Sequence, residues 1–244
     1  MILGIDTASP SCSAALVEAG QVIACSHLPG PSAASSYLVR LIDDLCAQAG
    51  CAAADLAGVA VNLGPGAFTG LRVGLATAQG LVTAYGRPLV GCSTFEALVD
   101  AAADWQGSIC PIIEARRGEV YAAFYHRQDR QAYETVPGMA VTPDMLCTLV
   151  QERTLFLGSG VQSYGELLAS KLGQQAVCRD LGSDFALAAN VARLGCERLA
   201  TVTCEDGYRL TPIYIRPADA RLPQHKASPA AGRHEKGAAY ARRN

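Results

Sequence analysis

MILGIDTASPSCSAALVEAGQVIACSHLPG, residues 1–30, contains three short apolar segments separated by turn residues. Ile2–Asp6 reads as a first strand, Ser13–Val17 as a second and Gln21–His27 as a third, with Glu18-Ala19-Gly20 as the hairpin turn between the last two. No basic leader precedes a long apolar stretch, so these residues have the pattern of a strand and not of a secretory signal.

A loop containing Pro29, Gly30, Pro31 and Ser32 follows the meander. Ser35 or Ser36 can then cap a helix running to about Gly50, in which Leu38, Leu41, Ile42, Leu45 and Cys46 recur at helical spacing. Leu56–Leu63 reads as a strand, Gly64-Pro65-Gly66 as a turn, and Phe68 to Tyr85 as a second helix. A strand at Pro88–Gly91 and a helix at Thr94–Ala103 complete the order β-β-β-α-β-α-β, which is that of one half of an actin-like or ribonuclease-H-like α/β fold.

Asp104-Trp105-Gln106-Gly107 reads as a hinge, because the pattern then begins again. Ile109–Ile113, Val120–Tyr125 and Thr154–Gly158 are expected strands, while Pro143–Gln151, Tyr164–Leu172 and Ala186–Leu199 are expected helices. Residues 1–104 are therefore expected to form an N-terminal lobe, and 105–220 a smaller and more irregular second one. Residues 221–244, polar and without periodicity, are expected to be disordered.

Half of the 244 residues are apolar, enough for a substantial core, yet no apolar run approaches the roughly 18 to 20 residues that span a bilayer. A cytoplasmic protein without a membrane partner is expected. The ten cysteines are scattered singly with no C-x-x-C pair, and most stand among aliphatic residues as small hydrophobes. The four histidines show no metal-ligand spacing, so no metal site is expected. The formal net charge of −2 hides a division along the chain. Residues 221–244 carry six basic groups (Arg221, Lys226, Arg233, Lys236, Arg242, Arg243) against Glu235, which leaves 14 basic and 21 acidic residues in 1–220. The folded part thus lacks the positive field of an autonomous nucleic-acid binder.

The segment LGPGAFTGLRVGLATAQG, residues 63–80, combines a Gly-Pro-Gly turn with a helix whose first N–H groups could hold an anion. It has no Walker-type Lys, and a tight strand-to-helix connection accounts for the same residues. Within the helix Gly70, Gly74 and Ala78 recur every four residues, at a cost of about 1 kcal/mol for each Gly relative to Ala. Such a strip admits a close second backbone, which can belong to the chain's own sheet or to a partner helix, with Leu71 and Leu75 flanking it. Asp6 and Thr7 end the first strand where an actin-like kinase holds a phosphate turn, but Ala8 and Pro10 occupy the bend. In the second half Arg116 and Arg117 stand where a second phosphate loop needs small residues. Leu157-Gly158-Ser159-Gly160 is an adenosine-loop candidate. No serine elbow, Cys–base pair or carboxylate pair offers another catalytic constellation.

Ile2–Thr7, Gly64–Gly74 (GPGAFTGLRVG), Glu114–Tyr121 (EARRGEVY) and Pro212–Arg216 (PIYIR) resemble the TsaB (YeaZ) family in order and spacing, over residues 1 to about 217. The resemblance implies a two-lobed actin-like (ASKHA) fold that has lost ordinary nucleotide chemistry and carries no cofactor. It implies a non-catalytic scaffold role in placing threonylcarbamoyl on adenosine 37 of ANN-decoding tRNAs. Implied partners are a TsaD-type catalytic subunit, a TsaE-type ATPase, a second copy of the chain when alone, and tRNA only through the complex. In the family the dimers form through the first two helices, here 36–48 and 68–84. The partner interface is accordingly expected at Leu38, Leu41, Ile42, Leu45, Gly70, Leu71, Gly74, Leu75 and Ala78. Ala67 stands where the family usually has Ser, and Ala34 or Ser35 where many members have His. The alternatives are an ATP-dependent enzyme of the same fold, with degenerate loops at Asp6, Thr7, Gly158 and Gly160, and the metallopeptidase that related sequences are sometimes labelled.

Overall fold

The computed structural model describes residues 1–30, 33–182, 185–199 and 206–216. β1 (Ile2–Asp6) pairs antiparallel with β2 (Ser11–Glu18), and β2 with β3 (Gln21–Pro29), as the alternation of apolar segments and turns requires. Ala19 and Gly20 both take positive φ in the β2–β3 turn, 49° and 79°, the geometry that lets a two-residue hairpin follow the strand twist. α1 (Ala33–Gln48) leads to β4 (Gly58–Asn62), which joins β1 in parallel; α2 (Phe68–Tyr85) leads to β5 (Leu89–Cys92), parallel to β4. The sheet order is β3-β2-β1-β4-β5. Leu38, Ile42 and Leu45 of α1 and Leu75, Ala78 and Val82 of α2 close over Leu3, Ile5, Val59 and Val61 on one face.

α3 (Thr94–Ala101) begins with a capping box, Ser93 accepting from the Glu96 amide at 3.1 Å while Glu96 accepts from the Ser93 amide at 2.7 Å. The second sheet then repeats the plan. β6 (Gly107–Glu114), β7 (Val120–Gln128) and β8 (Gln131–Val141) form a meander, and β9 (Thr154–Leu157) and β10 (Ala176–Arg179) add in parallel on the other side of β6. Its order, β8-β7-β6-β9-β10, is the same as in the first lobe. α4 (Pro143–Leu149) and α5 (Gly160–Leu172) cover the outer face over Ile112, Phe124 and Phe156. The chain is therefore an α/β, two-lobed actin-like protein. The second lobe carries a full five-stranded sheet because β8 and β10, which the hydrophobic pattern does not mark, are both edge strands: β8 is largely exposed and β10 has four residues.

Sequence order and packing part company at α6 (Ala188–Arg198), which falls within 105–220 yet packs on β1, β2 and β4 of the first sheet. The approach is close. A Cβ on Gly4 would lie 2.2 Å from the Ala188 carbonyl oxygen, and one on Gly195 would lie 2.5 Å from Ala60 Cβ. α3 and α6 thereby form a middle layer, and Val90, Phe95, Leu98, Ile109, Leu155 and Val191 share one core that joins the sheets. Among the described residues no helix is long and apolar enough to cross a membrane, and no three metal-ligating side chains cluster. The expected disordered tail, 221–244, lies outside the described residues.

The contact between Gly4 and α6 gives a direct stability test. Gly4→Ala should cost about 3 kcal/mol or more, since the two nearest neighbours, the Ala188 carbonyl oxygen and the Ala192 amide nitrogen, are main-chain atoms that cannot yield. Gly80→Ala, where a new Cβ meets nothing within 4 Å on an exposed turn of α2, should add up to about 1 kcal/mol. Urea midpoints of the two variants against the parent, at unchanged slope, check both signs.

Candidate functional site

The ends of β1 and β4 meet the turn that opens the 63–80 segment. Asp6 is fully buried there, and its Oδ1 accepts from the Ala8 amide at 3.0 Å and from Asn62 Nδ2 at 2.8 Å. Asn62 Oδ1 in turn accepts from the Gly64 amide at 2.9 Å and the Thr94 hydroxyl at 3.0 Å. Burial pushes the Asp6 carboxyl pKa up, opposed by hydrogen bonds from Ser9, Ala8 and Asn62 that favour the anion. Asp6 therefore holds the strand ends together from within the protein. The Asn62–Thr94 link is absent from the sequence reading, because neither residue belongs to a motif and they stand 32 positions apart.

Thr7 fills the space beside α2. Its hydroxyl donates to the Gly70 carbonyl oxygen at 2.7 Å. A Cβ on Gly70 would lie 1.9 Å from the Thr7 carbonyl oxygen, and one on Gly74 would lie 2.2 Å from Thr7 Oγ1. A Cβ on Gly66 would lie 2.3 Å from the Ala8 carbonyl oxygen, which also accepts the Ala67 amide at 2.9 Å. Ala67, the N-cap of α2, makes no side-chain cap; its main-chain N–H is taken up by the β1–β2 turn instead. The expectation of a groove along Gly70, Gly74 and Ala78 open to a partner is thus corrected. The strip receives the chain's own first strand.

The side chains expected at the partner face are likewise internal. Leu38, Leu41, Ile42, Leu45, Leu75 and Ala78 are all buried in the core over the first sheet, and Leu71 is buried beside Gly64. The outward surface of the two helices consists of other residues. On α1, Tyr37 and Val39 are 56% and 59% exposed, beside the Arg40–Asp44 pair at 3.8 Å. On α2, Thr69, Ala76, Gly80 and Ala84 face solvent with Val73 half-buried among them, so the surface is low and free of acidic or long side chains along that line. A wheel could have separated the two sides, since Gly80 follows Gly74 by six residues, a rotation of roughly 240°.

The cleft between the lobes holds a cavity of about 290 Å³, bounded by the β1–β2 turn, α3, and the loops after β9 and β10. Its described lining contains Asp180 as the one ionisable side chain, and no Lys, Arg or His. Gly158, at φ 106°, turns its α-carbon onto β6, where a Cβ would lie 2.5 Å from the Ile112 carbonyl oxygen, and Gly160 packs on the same residue. Ser159 Oγ accepts the Glu114 amide at 3.1 Å. Arg116 and Arg117 sit exposed on the β6–β7 turn, outside the cavity lining. A nucleotide's phosphates need backbone N–H groups and cations at close range, and the described lining of the cavity supplies no Lys, Arg or His for them.

Pro212–Arg216, marked in the sequence but without an assigned role, ties α2 to the second lobe. The Ile213 amide donates to the Leu63 carbonyl at 2.7 Å. Tyr214 lies 5.1 Å from the Phe68 ring, with its hydroxyl accepting from Arg72 Nε at 3.2 Å and the Arg72 guanidinium 3.9 Å over Phe68. Arg216 then pairs with Glu119 at the β6–β7 turn.

Residues 32–185 match the family model described as TsaD, tRNA N6-adenosine threonylcarbamoyltransferase. The chain is 30% identical over 226 residues to the tRNA threonylcarbamoyladenosine biosynthesis protein TsaB of Escherichia coli K12, covering 88% of this chain and 94% of that one. It is 28% identical to the Bacillus subtilis TsaB, covering 90% and 95%. The solved structure of YeaZ from Pseudomonas aeruginosa superposes with a TM-score of 0.70 at 25% identity, over 87% of this chain and 98% of that one.

Asp6 makes a pH signature. Because its native pKa is raised above the ordinary 3.8, the folded state holds the proton more tightly than the unfolded chain, and stability falls as pH rises from about that value through the native pKa. Asn at this position still accepts from Ala8 and Asn62 without the buried charge. The stability of Asp6→Asn relative to the parent should therefore increase between pH 4 and pH 7 in paired urea titrations; a difference that stays flat contradicts it.

Proposed function

The chain belongs to the TsaB family of tRNA threonylcarbamoyladenosine biosynthesis proteins, and from that premise we propose that it is the non-catalytic subunit that docks a TsaD-type transferase. It takes part in making threonylcarbamoyladenosine in tRNA. The observation that supports the non-catalytic reading is where the glycines of 66–74 point: Gly66 approaches Ala8, and Gly70 and Gly74 approach Thr7, so the phosphate turn is closed by its own neighbours. A cleft lined by hydroxyls, apolar groups and Asp180 supports the same reading.

Docking falls on the outward face of α1 and α2. One exposed apolar side chain of α1, Tyr37 or Val39, supplies an anchor, since the two stand roughly 200° apart about the helix, and the low line Thr69–Ala76–Gly80–Ala84 lets a partner helix approach the α2 backbone. Two copies can use the same face against each other, which makes a homodimer the competitor of the complex. A TsaE-type ATPase and the tRNA join through the assembled complex.

Gly80→Arg places a long charged side chain on this face without touching the core. It should weaken binding to the TsaD-type partner roughly 100-fold while leaving the thermal midpoint near the parent's. Gly74→Leu, in contrast, should unfold the chain by driving into Thr7. Multi-angle light scattering of the mixed proteins reads the first and circular dichroism the second. A Gly80→Arg chain that still forms the complex at parental affinity removes this face from the interface. ATP turnover by the isolated chain, lost on Asp6→Ala, would restore the enzymatic alternative.

A further inference from the structure

A second cavity, of about 530 Å³, opens where α3, the β7–β8 hairpin and the C-terminal half of α6 meet. It is separate from the interlobe cleft: Leu187 at the start of α6 lines the cleft, whereas Leu194, Glu197 and Arg198 line this cavity. Its walls are charged, with Glu96, Asp100, Glu134 and Glu197 facing Arg127, Arg130 and Arg198. Several of these groups are already satisfied. Glu96 pairs with Arg198 at 2.5 Å, and Asp100 accepts from Asn190 Nδ2 at 2.8 Å with Arg193 at 4.0 Å.

Arg127 is different. It is only 7% exposed, its Nη2 donates to the Val99 carbonyl at 2.7 Å, and its Nε has no hydrogen-bond partner. No carboxylate among the described residues forms an ion pair with it. Asp104, already paired with Arg179, acts on it only at longer range. A guanidinium withdrawn from water without a paired carboxylate is costly to keep, and its planar fork is the group best shaped to receive one.

Two acids on the same walls also form no ion pair among the described residues. Glu134 engages only the Tyr125 hydroxyl, at 3.4 Å, and Glu197 acts on Arg198 at longer range without an ion pair. The hairpin register pairs Arg127 with Ala132 and Tyr125 with Glu134, so Arg127 and Glu134 are diagonal neighbours on one face, roughly 7–8 Å apart at the backbone. They do not pair directly. A simple anion drawn to Arg127 would be repelled by Glu134 and Glu197, and a simple cation drawn to the acids would be repelled by Arg127. A ligand that carries both charges on a single carbon satisfies all three.

The geometry points to a binding site for a zwitterionic α-amino acid in this cavity, its carboxylate on Arg127 with Arg130 at the rim, and its ammonium on Glu134 and Glu197. The site is built by α3, α6 and the β7–β8 hairpin, none of which belongs to the outward face of α1 and α2.

Isothermal titration of the full chain with each standard L-α-amino acid in turn tests this. For the tightest one, the titration is repeated with its counterpart lacking the amine and its counterpart lacking the carboxylate. Saturable binding of at least one amino acid is expected, with both counterparts, and the Arg127→Met and Glu134→Gln chains, weaker by about tenfold or more. Arg127→Met should be no less stable than the parent without ligand; should it fail to fold, Glu134→Gln, on an exposed side chain, carries the test. The proposal is overturned if no amino acid binds up to millimolar concentration, if the carboxylate counterpart binds as tightly as the amino acid, or if Glu134→Gln keeps parental affinity.

Discussion

The contact on which the architecture turns is the seating of Thr7 against the backbone of α2. With its hydroxyl on the Gly70 carbonyl and its own carbonyl where a Gly70 side chain would be, the end of the first strand and the second helix approach as nearly as two backbones can. That approach has three effects at once. It closes the turn after β1, which in a nucleotide-binding relative of this fold would have to stay open. It fixes the rotation of α2, sending Leu75, Ala78 and Val82 into the sheet. It leaves the opposite side of the helix, with Ala76 and Gly80, toward solvent.

The cleft that would have to neutralise phosphates carries one acid and no base among its described lining residues, while arginines that could have served stand elsewhere. Arg72 lies over Phe68 and holds Tyr214, and Arg216 holds Glu119, so these cations fasten the Pro212–Arg216 segment across the lobes. Lobe closure is thereby built in on that side, with the shared core of α3 and α6 between the sheets as its other half.

The central strands and the long helices were legible because each buries one consistent stripe: Ile2–Asp6 and the helix at Phe68–Tyr85 could be placed from periodicity and turn residues alone. β8 was not, since an exposed edge strand carrying Pro137 and Gly138 has no alternating pattern to show. The candidate site was half legible. That the glycines of 64–74 permit a close backbone is readable from their spacing, but which backbone comes close depends on Thr7, a residue 63 positions from Gly70. Periodicity marks which side of a helix is apolar but not what covers it, so the residue pattern left own sheet and partner helix both open, and the interface that the family resemblance implied fell on side chains that the structure buries.

α6 gives the chain an unusual order of assembly. The inner face of the first sheet, formed by β1, β2 and β4 before residue 63, is covered by a helix that is synthesised only at 188–198. A nascent chain emerging from the ribosome therefore holds a complete meander and its outer helices long before their underside can be shielded from water. Local turns and hairpins can form early, whereas cooperative closure of the N-terminal lobe waits for nearly the whole polypeptide. A stalled or truncated translation product would consequently display a sticky, β-rich surface, a natural client for chaperones and proteases.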